Sequence, residues 1–281
     1  MALVARPDGR AEAETNPKAK AAVEKEWNTL RLKKVWVETD VRERADVIRE
    51  AKEQGKTIQF GRVHCICVEK NSELPEGDPR RKYKGRAVFL GNNMKNQDFE
   101  QAVFMDLGSA PVLLEIPRIN DFYGCLPGHH QQQADGVQAF VQACLIGDEC
   151  WIILPLSALS SAEVVALWAK FKSPVTRMLK ALYGHPDAPT SWELKCDAEL
   201  KLANFFPLGP EWPSTYFHEP LKLMLTVYVD DFKLAGPAEN LEAGWKAIGS
   251  RIEMEPATET GLYLGCNRKK VKHVIGGVPV S

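Results

Sequence analysis

Two adjacent acids, Asp230 and Asp231, stand in the middle of the otherwise apolar stretch LKLMLTVYVDDFKLAG, residues 221 to 236. Successive side chains of a strand point to opposite faces, and both faces are largely apolar here, which predicts a central strand of a sheet. The segment after the acids is again apolar, so we expect Asp230 and Asp231 at the tight turn of a buried hairpin. Aspartate is common in turns because its side chain bonds local backbone amides, so a structural role is the first interpretation.

A catalytic role for this pair requires a cation and further acid. Adjacent carboxylates repel unless a positive charge neutralises them, and Mg²⁺ is often held by a few carboxylates together with substrate phosphates. Asp135 is the best distant candidate, because it follows a short segment and precedes a stretch of small and apolar residues. Such a place is typical of a strand end that exposes its last side chain. The hypothesis is that all three carboxylates meet and hold divalent ions.

The composition predicts a globular, intracellular chain. Its 281 residues, of which 44% are hydrophobic, are enough to bury a core. The formal net charge of -1 gives no global basic field, so a nucleic-acid partner would have to be held by a local patch. Seven cysteines without a repeated CxxC pattern argue against structural zinc and a disulfide framework, and they favour a reducing compartment. No apolar stretch approaches the length of a membrane span, so we expect no membrane partner.

The order of predicted elements favours an α+β fold. Residues 1 to 28 contain little to bury and are predicted to be a disordered or loosely attached tail. The segments TIQFGRVHCICVEK and KYKGRAVFLG have strand character and flank a turn-rich loop, so we expect a hairpin. Helical spacing occurs before this hairpin and in three later segments, and GLYLGCNRK is predicted as a final strand. Hairpins interleaved with helices, rather than regular βαβ units, indicate α+β.

Five blocks stand in a fixed order along the chain: RKYKGRAVFLGN, QADGVQAFVQACLIGDECWIILP, MLKALYGHPDAPTSWE, YVDD and LYLGC. Together they resemble the reverse transcriptase domain of copia-type retrotransposons. That family has a KARLVAKG segment, a Q-x-D-V-x-x-A-F-L-x-G-D-L block, an L-x-K-x-L-Y-G-L-K-Q-A-P-R-x-W block and a late FLG strand at the corresponding places. The resemblance runs from about Trp36 to Cys266, and five ordered blocks are far more specific than YVDD alone.

The resemblance implies a right-hand polymerase architecture with an antiparallel palm sheet and flanking helices. The expected divisions are a fingers-like region over residues 29 to 128, a palm-like region over 129 to 266, and a short tail or thumb start over 267 to 281. Few residues follow Cys266, so the thumb is expected to be truncated or missing. The chain would then be one segment of a retroelement polyprotein, cytoplasmic if it belongs to a retroelement particle.

The implied activity is RNA-directed DNA polymerisation. A nucleotide would be transferred to a primer 3'-hydroxyl with the help of two Mg²⁺ ions, or of Mn²⁺ in their place. The implied substrates are an RNA or DNA template with its primer, and deoxynucleoside triphosphates.

By position, the resemblance also assigns roles to side chains. Asp135, Asp230 and Asp231 would be the catalytic triad and the metal ligands, with the carbonyl of Gly136 completing a coordination shell. The remaining residues would surround the substrates. Lys84 and Arg86 would bind the triphosphate, and Phe140 would lie beneath the nucleotide sugar as a gate against a 2'-hydroxyl. Tyr228 would lie at the primer end or the metal site, and Leu264 and Gly265 would lie on the strand that grips the primer. The alternatives without a functional role are a solvated basic strand for Lys84 and Arg86, and ordinary core or strand positions for the other residues.

Departures from the family pattern leave an alternative open. Asp187 stands in HPDAP where the family usually has Gln, and an acid near a triphosphate is unfavourable unless it points away. Gly136 replaces the usual Val. With the expected lack of a thumb, these departures favour a catalytically inactive remnant that acts at most as a nucleic-acid or protein interaction module. Another two-metal palm enzyme, such as a nucleotide cyclase, is a third interpretation, which the fingers-like and KALYG blocks disfavour.

Overall fold

The computed structural model describes residues 5–7, 15–101, 115–268, 273–275 and 278–280. The helices are α1 (Pro17–Leu32), α2 (Arg44–Glu53), α3 (Ile116–Gly124), α4 (Ala139–Gln142), α5 (Ala162–Trp168), α6 (Ala188–Leu202) and α7 (Leu241–Gly249). The strands are β1 (Ala5–Pro7), β2 (Arg42–Glu43), β3 (Ile58–Lys70), β4 (Lys82–Phe89), β5 (Lys95–Asn96), β6 (His129–Asp135), β7 (Glu149–Ile153), β8 (Pro174–Arg177), β9 (Phe206–Pro207), β10 (Thr215–His218), β11 (Leu223–Tyr228), β12 (Asp231–Pro237), β13 (Thr258–Glu259), β14 (Leu262–Tyr263), β15 (Cys266–Asn267), β16 (His273–Ile275) and β17 (Val278–Val280). Helices alternate with mainly antiparallel strands, so the predicted α+β class is confirmed. No helix in the described ranges is long and apolar enough to cross a membrane.

Two compact units share the chain, and each is made of two separate stretches. The first unit comprises Met1–Leu107 and Ala143–Ser191, and the second comprises Gly108–Gln142 and Trp192–Ser281. These units divide the chain at other places than the predicted fingers-like (29 to 128) and palm-like (129 to 266) regions, whose assignment stays a prediction. Strand β6 groups with the later strands because it pairs with β12, whereas β7 returns to the first unit because it pairs with β3.

The first unit is organised around the long strand β3. Its seven-stranded sheet has the order β1-β3-β7-β8-β2, and both β4 and β5 also pair with β3. Strands β3 and β4 are antiparallel over their whole shared length, which confirms the predicted hairpin. Between the sheet and α2 lies a core that includes Val47, Phe60, Trp151 and Val175.

The prediction for residues 1 to 28 is a disordered or loosely attached tail, and helix α1 corrects this for residues 17 to 28. The side-chain oxygen of Asn16 caps its first turn, and Ala19 and Trp27 on the helix are buried. Gly85 of β4 allows a close approach, because a Cβ at this position would lie 2.7 Å from the carbonyl oxygen of Ala22. The small residues that suggested little to bury are therefore the ones that let the helix lie close to the strand.

The second unit contains a six-stranded antiparallel sheet in the order β13-β6-β12-β11-β10-β9. Strand β11 lies between two others and is buried along its length up to Tyr228, which confirms the predicted central strand. Helix α3 covers one face, where Ile116 packs against Met224. Helix α7 covers the other face, where Gly244 lies against Leu223 and Leu234.

The described residues from 262 onwards include two short hairpins, and the first of them corrects one prediction. GLYLGCNRK is not one strand: β14 and β15 pair, and Leu264 and Gly265 form the two-residue turn between them, with φ of +48° and +73°. Positive φ at both turn positions is the geometry that suits the twist of a hairpin. Strands β16 and β17 also pair with each other. The predicted short tail or thumb start over residues 267 to 281 stays a prediction, because much of that range lies outside the described residues.

His185 is buried in the first unit in a way that disfavours its charged form. The residue is 3% exposed, and its ring centroid lies 4.8 Å from that of Phe89. The backbone N–H of Asp187 donates to its Nδ1 at 3.1 Å. Burial lowers the pKa of His185 to about 4.

We expect His185 to make the first unit acid-sensitive. In the unfolded chain this imidazole takes up a proton near pH 6.5, whereas the folded unit resists protonation down to about pH 4. The unfolded state therefore binds more protons inside this window, and the free energy of unfolding rises with pH. On acidification from pH 6.5 to pH 4 this group should remove on the order of 3 kcal/mol. Urea unfolding across this range would measure it, and His185→Gln should flatten the dependence; equal pH slopes in the two proteins would contradict the assignment.

Candidate active site

Three carboxylates lie at one end of the second unit's sheet. Strand β6 ends at Asp135, and β12 begins at Asp231. These two residues are direct partners in the antiparallel ladder, and Asp231 is also paired with Tyr228 at the end of β11. Because directly opposed side chains lie on the same face of a sheet, Tyr228, Asp231 and Asp135 form a row across three strands. The structure thus brings residue 135 beside the acidic hairpin, as expected from the sequence.

Val229 and Asp230 form the turn between β11 and β12. Val229 has φ of +56°, in the left-handed region that a β-branched residue seldom occupies. Such backbone strain costs of order 1–3 kcal/mol and persists where the surroundings hold it. Two hydrogen bonds do so here: Trp192 Nε1 donates to the Val229 carbonyl at 2.7 Å, and the Gly136 N–H donates to the Asp230 carbonyl at 2.6 Å. Both the α6 side chain and the backbone after Asp135 therefore secure the turn.

The backbone around Asp135 is secured from the other side as well. The N–H of Glu255 donates to the Asp135 carbonyl at 2.7 Å, and the N–H of Val137 donates to the Glu253 carbonyl at 2.9 Å. Gly136, whose carbonyl is predicted to bind metal, is buried between these contacts and the turn. Strand β6 and the acidic turn are therefore held in register by main-chain bonds, independently of the carboxylates themselves.

The electrostatic environment of Asp231 is negative. Asp135 and Asp230 are exposed, whereas Asp231 is only partly so. Burial raises the pKa of Asp231 to about 6, and the carboxylates of Asp230 and Asp135 act in the same direction. The Tyr263 hydroxyl donates to the carbonyl of Asp231 at 3.4 Å, so this bond restrains the main chain and not the carboxylate.

The chemistry of these donors suits a hard cation, but their present placement is not that of a complete ligand set. Carboxylate oxygens are typical Mg²⁺ ligands, and a dication would offset the repulsion between these carboxylates, which adds to the effect of burial in raising the pKa of Asp231. Within the described ranges, no group of three His, Cys, Asp or Glu side chains is arranged to hold a metal ion. The binding of magnesium ions, which the sequence resemblance implies, therefore stays a prediction.

Four other predicted residues lie in the same unit as the carboxylates. Phe140 is half-buried in the short helix α4, and Tyr228 is exposed at the end of β11. Leu264 and Gly265 are the turn of the β14–β15 hairpin, which corrects their assignment to a strand. The same hairpin carries Tyr263, whose hydroxyl reaches Asp231, so it borders the row of acids.

Lys84 and Arg86 lie on β4 in the first unit. Both are exposed. Because the intervening Gly85 faces α1, these two side chains point to the opposite face of the strand. Their contact with a triphosphate stays a prediction.

Asp187, the departure from the family pattern, is turned inwards. It is 5% exposed in the first unit, and burial together with the charge of Asp148 raises its pKa. The hydroxyl and the N–H of Ser191 donate to its carbonyl at 2.7 and 2.9 Å. Asp187 therefore supports the start of α6 from within the unit instead of presenting a charge to a ligand.

A charged cluster in the same unit as the acids was not predicted from the sequence. Lys233 lies two residues after Asp231 on the same face of β12 and is completely buried. Its Nζ donates to Asp121 on α3, and Asp121 also accepts from Arg268 Nε at 2.7 Å. Lys233 and Arg268 lie 5.3 and 5.4 Å from the ring centroid of Tyr263. The available signal was a lysine inside an apolar strand, since a buried ammonium group needs a carboxylate partner.

Trp192→Phe is expected to loosen the acidic turn while it keeps the packing of α6. The substitution removes the donor to the Val229 carbonyl and retains an aromatic ring at a site that is 3% exposed. We expect a loss of about 1 kcal/mol in the free energy of unfolding and faster hydrogen exchange at the turn amides. Trp245→Phe is the matched control, because it removes the bond from Trp245 Nε1 to Gln132 Oε1 elsewhere in the same unit. Equal acceleration at the turn in both variants would show that Trp192 does not hold it.

Comparison with known proteins gives a narrow result. No protein-family model matches the chain, and no curated protein matches it. Among solved structures, the chain is similar to the telomerase from Candida albicans determined with the TWJ fragment of telomeric RNA, with a TM-score of 0.37 and 10% sequence identity. The match covers 92% of this chain and 48% of the telomerase chain, so this chain spans about half the length of that one. At this level of likeness, function has to be argued from the residues themselves.

Proposed function

We propose that this chain is an RNA-directed DNA polymerase domain of the copia reverse transcriptase type, which extends a primer 3'-hydroxyl on an RNA or DNA template. The observation that carries the proposal is the ladder pairing of Asp231 with both Asp135 and Tyr228. Two sequence blocks that lie far apart in the chain, and that match the two carboxylate motifs of the family, are brought to adjacent strand ends by this pairing. An ordinary turn aspartate has no reason to face a second aspartate across a ladder.

In this proposal Asp135, Asp230 and Asp231, with the Gly136 carbonyl, would hold two Mg²⁺ or Mn²⁺ ions. When bound, the ions would activate the primer 3'-hydroxyl and steady the leaving pyrophosphate. Burial, and then the charges of Asp230 and Asp135, raise the pKa of Asp231, which supports this role because the row of acids is favourable for a cation and unfavourable in its absence. Trp192 and the Gly136 N–H would keep the turn in place as charge moves at the strand ends.

The substrate contacts follow from the family resemblance. Lys84 and Arg86 would bind the triphosphate of the incoming deoxynucleotide, and Phe140 would exclude a 2'-hydroxyl. Tyr228 would lie at the primer end, and the Leu264–Gly265 turn would contact the primer. Other segments of a retroelement polyprotein would supply the grip that a thumb gives, in a cytoplasmic particle.

A catalytically inactive remnant, acting as an interaction module, is the second candidate. One observation favours it, since no three acidic, His or Cys side chains of the described ranges are arranged as a metal site. A remnant would keep the fold and the hairpin because their packing stabilises them without any ion.

Primer extension separates the two candidates. The chain is given a poly(A) template, an oligo(dT) primer and dTTP with Mg²⁺ or Mn²⁺, alongside Asp230→Asn and the control Glu242→Gln, which removes an exposed carboxylate from α7. The polymerase proposal expects incorporation by the parent and the control and a loss of about 10³-fold or more in Asp230→Asn. No incorporation by any of the three supports the remnant. Equal incorporation by all three assigns the activity to something other than this turn.

A further inference from the structure

A basic cavity in the first unit lies outside the carboxylate site. It has a volume of about 430 Å³. Its lining includes three cationic side chains, Arg44 at the start of α2, Arg62 on β3 and Lys95 on β5, together with Phe60 and Phe99. Asn93 and Gln101 add amide groups to the same wall. Among the described residues that line it, none is acidic.

The three cations have no anionic partner among the residues that the structure describes. Two acids on the loop that carries Phe99 are engaged elsewhere: Asp98 pairs with Lys52 at 2.8 Å, and Glu100 accepts from Asn96 at 3.0 Å. Three positive charges around one concave space repel one another, so an anion placed between them would be bound favourably.

The guanidinium group of Arg44 is positioned to bind such an anion. Its guanidinium carbon lies 4.3 Å from the ring centroid of Phe60 and 5.2 Å from that of Phe99, so two rings fix its plane. Its Nε is buried and has no hydrogen-bond partner within the described ranges. Burial, and then the charge of Arg62, lower its pKa, which reflects guanidinium groups in proximity without a counter-ion. A buried donor without a partner costs free energy that a bound acceptor would recover.

Phe99 is presented to solvent by a compact loop. The Asn96 side-chain oxygen accepts from the N–H groups of Asp98 and Glu100 at 2.9 and 3.0 Å, and the N–H of Phe99 donates to the Asn96 carbonyl at 3.1 Å. Phe99 has φ of +66° and is 61% exposed. A large aromatic ring held at the surface by an ordered loop, beside cations, is the combination that binds nucleic acid by stacking and by phosphate contacts.

We propose that this cavity binds a nucleotide phosphate, with Arg44, Arg62 and Lys95 on the phosphate oxygens and the exposed ring of Phe99 against the base. Guanidinium groups match phosphate oxygens in a fork, and an ammonium group adds a point charge. A single-stranded polynucleotide and a free nucleotide carry the same group. The proposal does not depend on polymerase activity, because its residues belong to the first unit and are separate from the carboxylates.

The test is fluorescence anisotropy with a labelled single-stranded oligothymidylate of about ten nucleotides, without divalent ions. Arg62→Gln combined with Lys95→Gln removes two exposed cavity charges and leaves the packed Arg44 in place. We expect affinity to fall about tenfold or more, and the slope of log affinity against log salt to shrink by about 0.7 for each phosphate that the variant no longer neutralises. Arg49→Gln combined with Lys56→Gln is the matched control, because it removes one arginine and one lysine from exposed positions outside the cavity.

Competition identifies the source of the phosphate. If dTTP displaces the probe as effectively as an unlabelled strand, the ligand is a free nucleotide; if only the strand does so, the ligand is a polynucleotide. Either outcome supports the cavity, and Phe99→Ala should weaken binding of both while inorganic phosphate competes unchanged. Equal losses in the cavity and control double variants, or no binding of any probe by the parent chain, would overturn it. Asp230→Asn should bind the probe as the parent does, so failure of the polymerase proposal and failure of this one are distinguishable.

Discussion

Replacing Asp231 with asparagine is expected to lower nucleotide incorporation by about 10³-fold and at the same time to raise the melting temperature of the metal-free protein. The loss of activity follows from removing a proposed ion ligand. The gain in stability follows because the raised pKa of Asp231 means that its ionised form is unfavourable in the folded unit. Because the folded pKa of Asp231 lies above its unfolded value, the protein loses stability as pH rises towards about 6 and this carboxyl ionises. Asparagine does not ionise, so the variant avoids this loss.

Thermal unfolding in EDTA beside primer extension measures both effects in one preparation. Glu242→Gln, on the exposed face of α7, should change neither quantity appreciably. A purely structural turn aspartate predicts the opposite sign for stability, because asparagine would weaken whatever bonds the carboxylate makes. A fall in melting temperature would therefore contradict the idea that the acids at this strand end are tolerated for function at the expense of stability.

Asp121→Asn is expected to destabilise the second unit by about 3–5 kcal/mol, since it would leave the buried charge of Lys233 without its counter-charge. Burial lowers the pKa of Lys233 to about 8, against the opposing effect of Asp121, so the pairing carries much of the cost of holding an ammonium group there. Arg268 loses the same partner. Urea unfolding followed by circular dichroism would record the loss.

The matched variants are Lys233→Met and the double substitution. Methionine replaces the buried stem with an apolar one of similar length, so we expect Lys233→Met to be close to neutral or stabilising. Adding Lys233→Met to Asp121→Asn should recover most of the lost stability, which would appear as a large coupling energy in the cycle. Additive effects of the two substitutions would show that the ion pair does not hold α3 against the sheet.

The acidic hairpin could be predicted from the sequence because the residues that indicate it are neighbours in the chain. Apolar residues on both faces indicate a central strand, and two acids followed by a second apolar run indicate a turn. Its partnership with Asp135 has no local signature, because the pairing of strands far apart in the chain leaves no periodicity. The family resemblance supplied that link, and the register of β6 with β12 agrees with it.

The parts that could not be predicted depend on contacts between distant segments or on unusual backbone. Leu264 gives no turn signal, since leucine rarely adopts its φ of +48°, so LYLGC looked like a continuous strand. The Ala-rich segment before Trp27 looked unable to bury anything until β4 supplied a glycine for it to pack on. The cation cavity draws Arg44, Arg62 and Lys95 from three elements, and none of these residues is distinctive alone.

The division of each unit into two stretches has a consequence for biosynthesis. As the chain leaves the ribosome, residues 108–142 emerge before the first unit has received its second stretch, 143–191. The edge of strand β6 that pairs with β12 then stays unpaired until residues 231 to 237 have been translated. During that interval Asp135 has no neighbour at 231, so any chemistry of the paired acids begins only with the late strands, and the nascent chain passes through a stage in which an exposed β6 edge invites association with other chains.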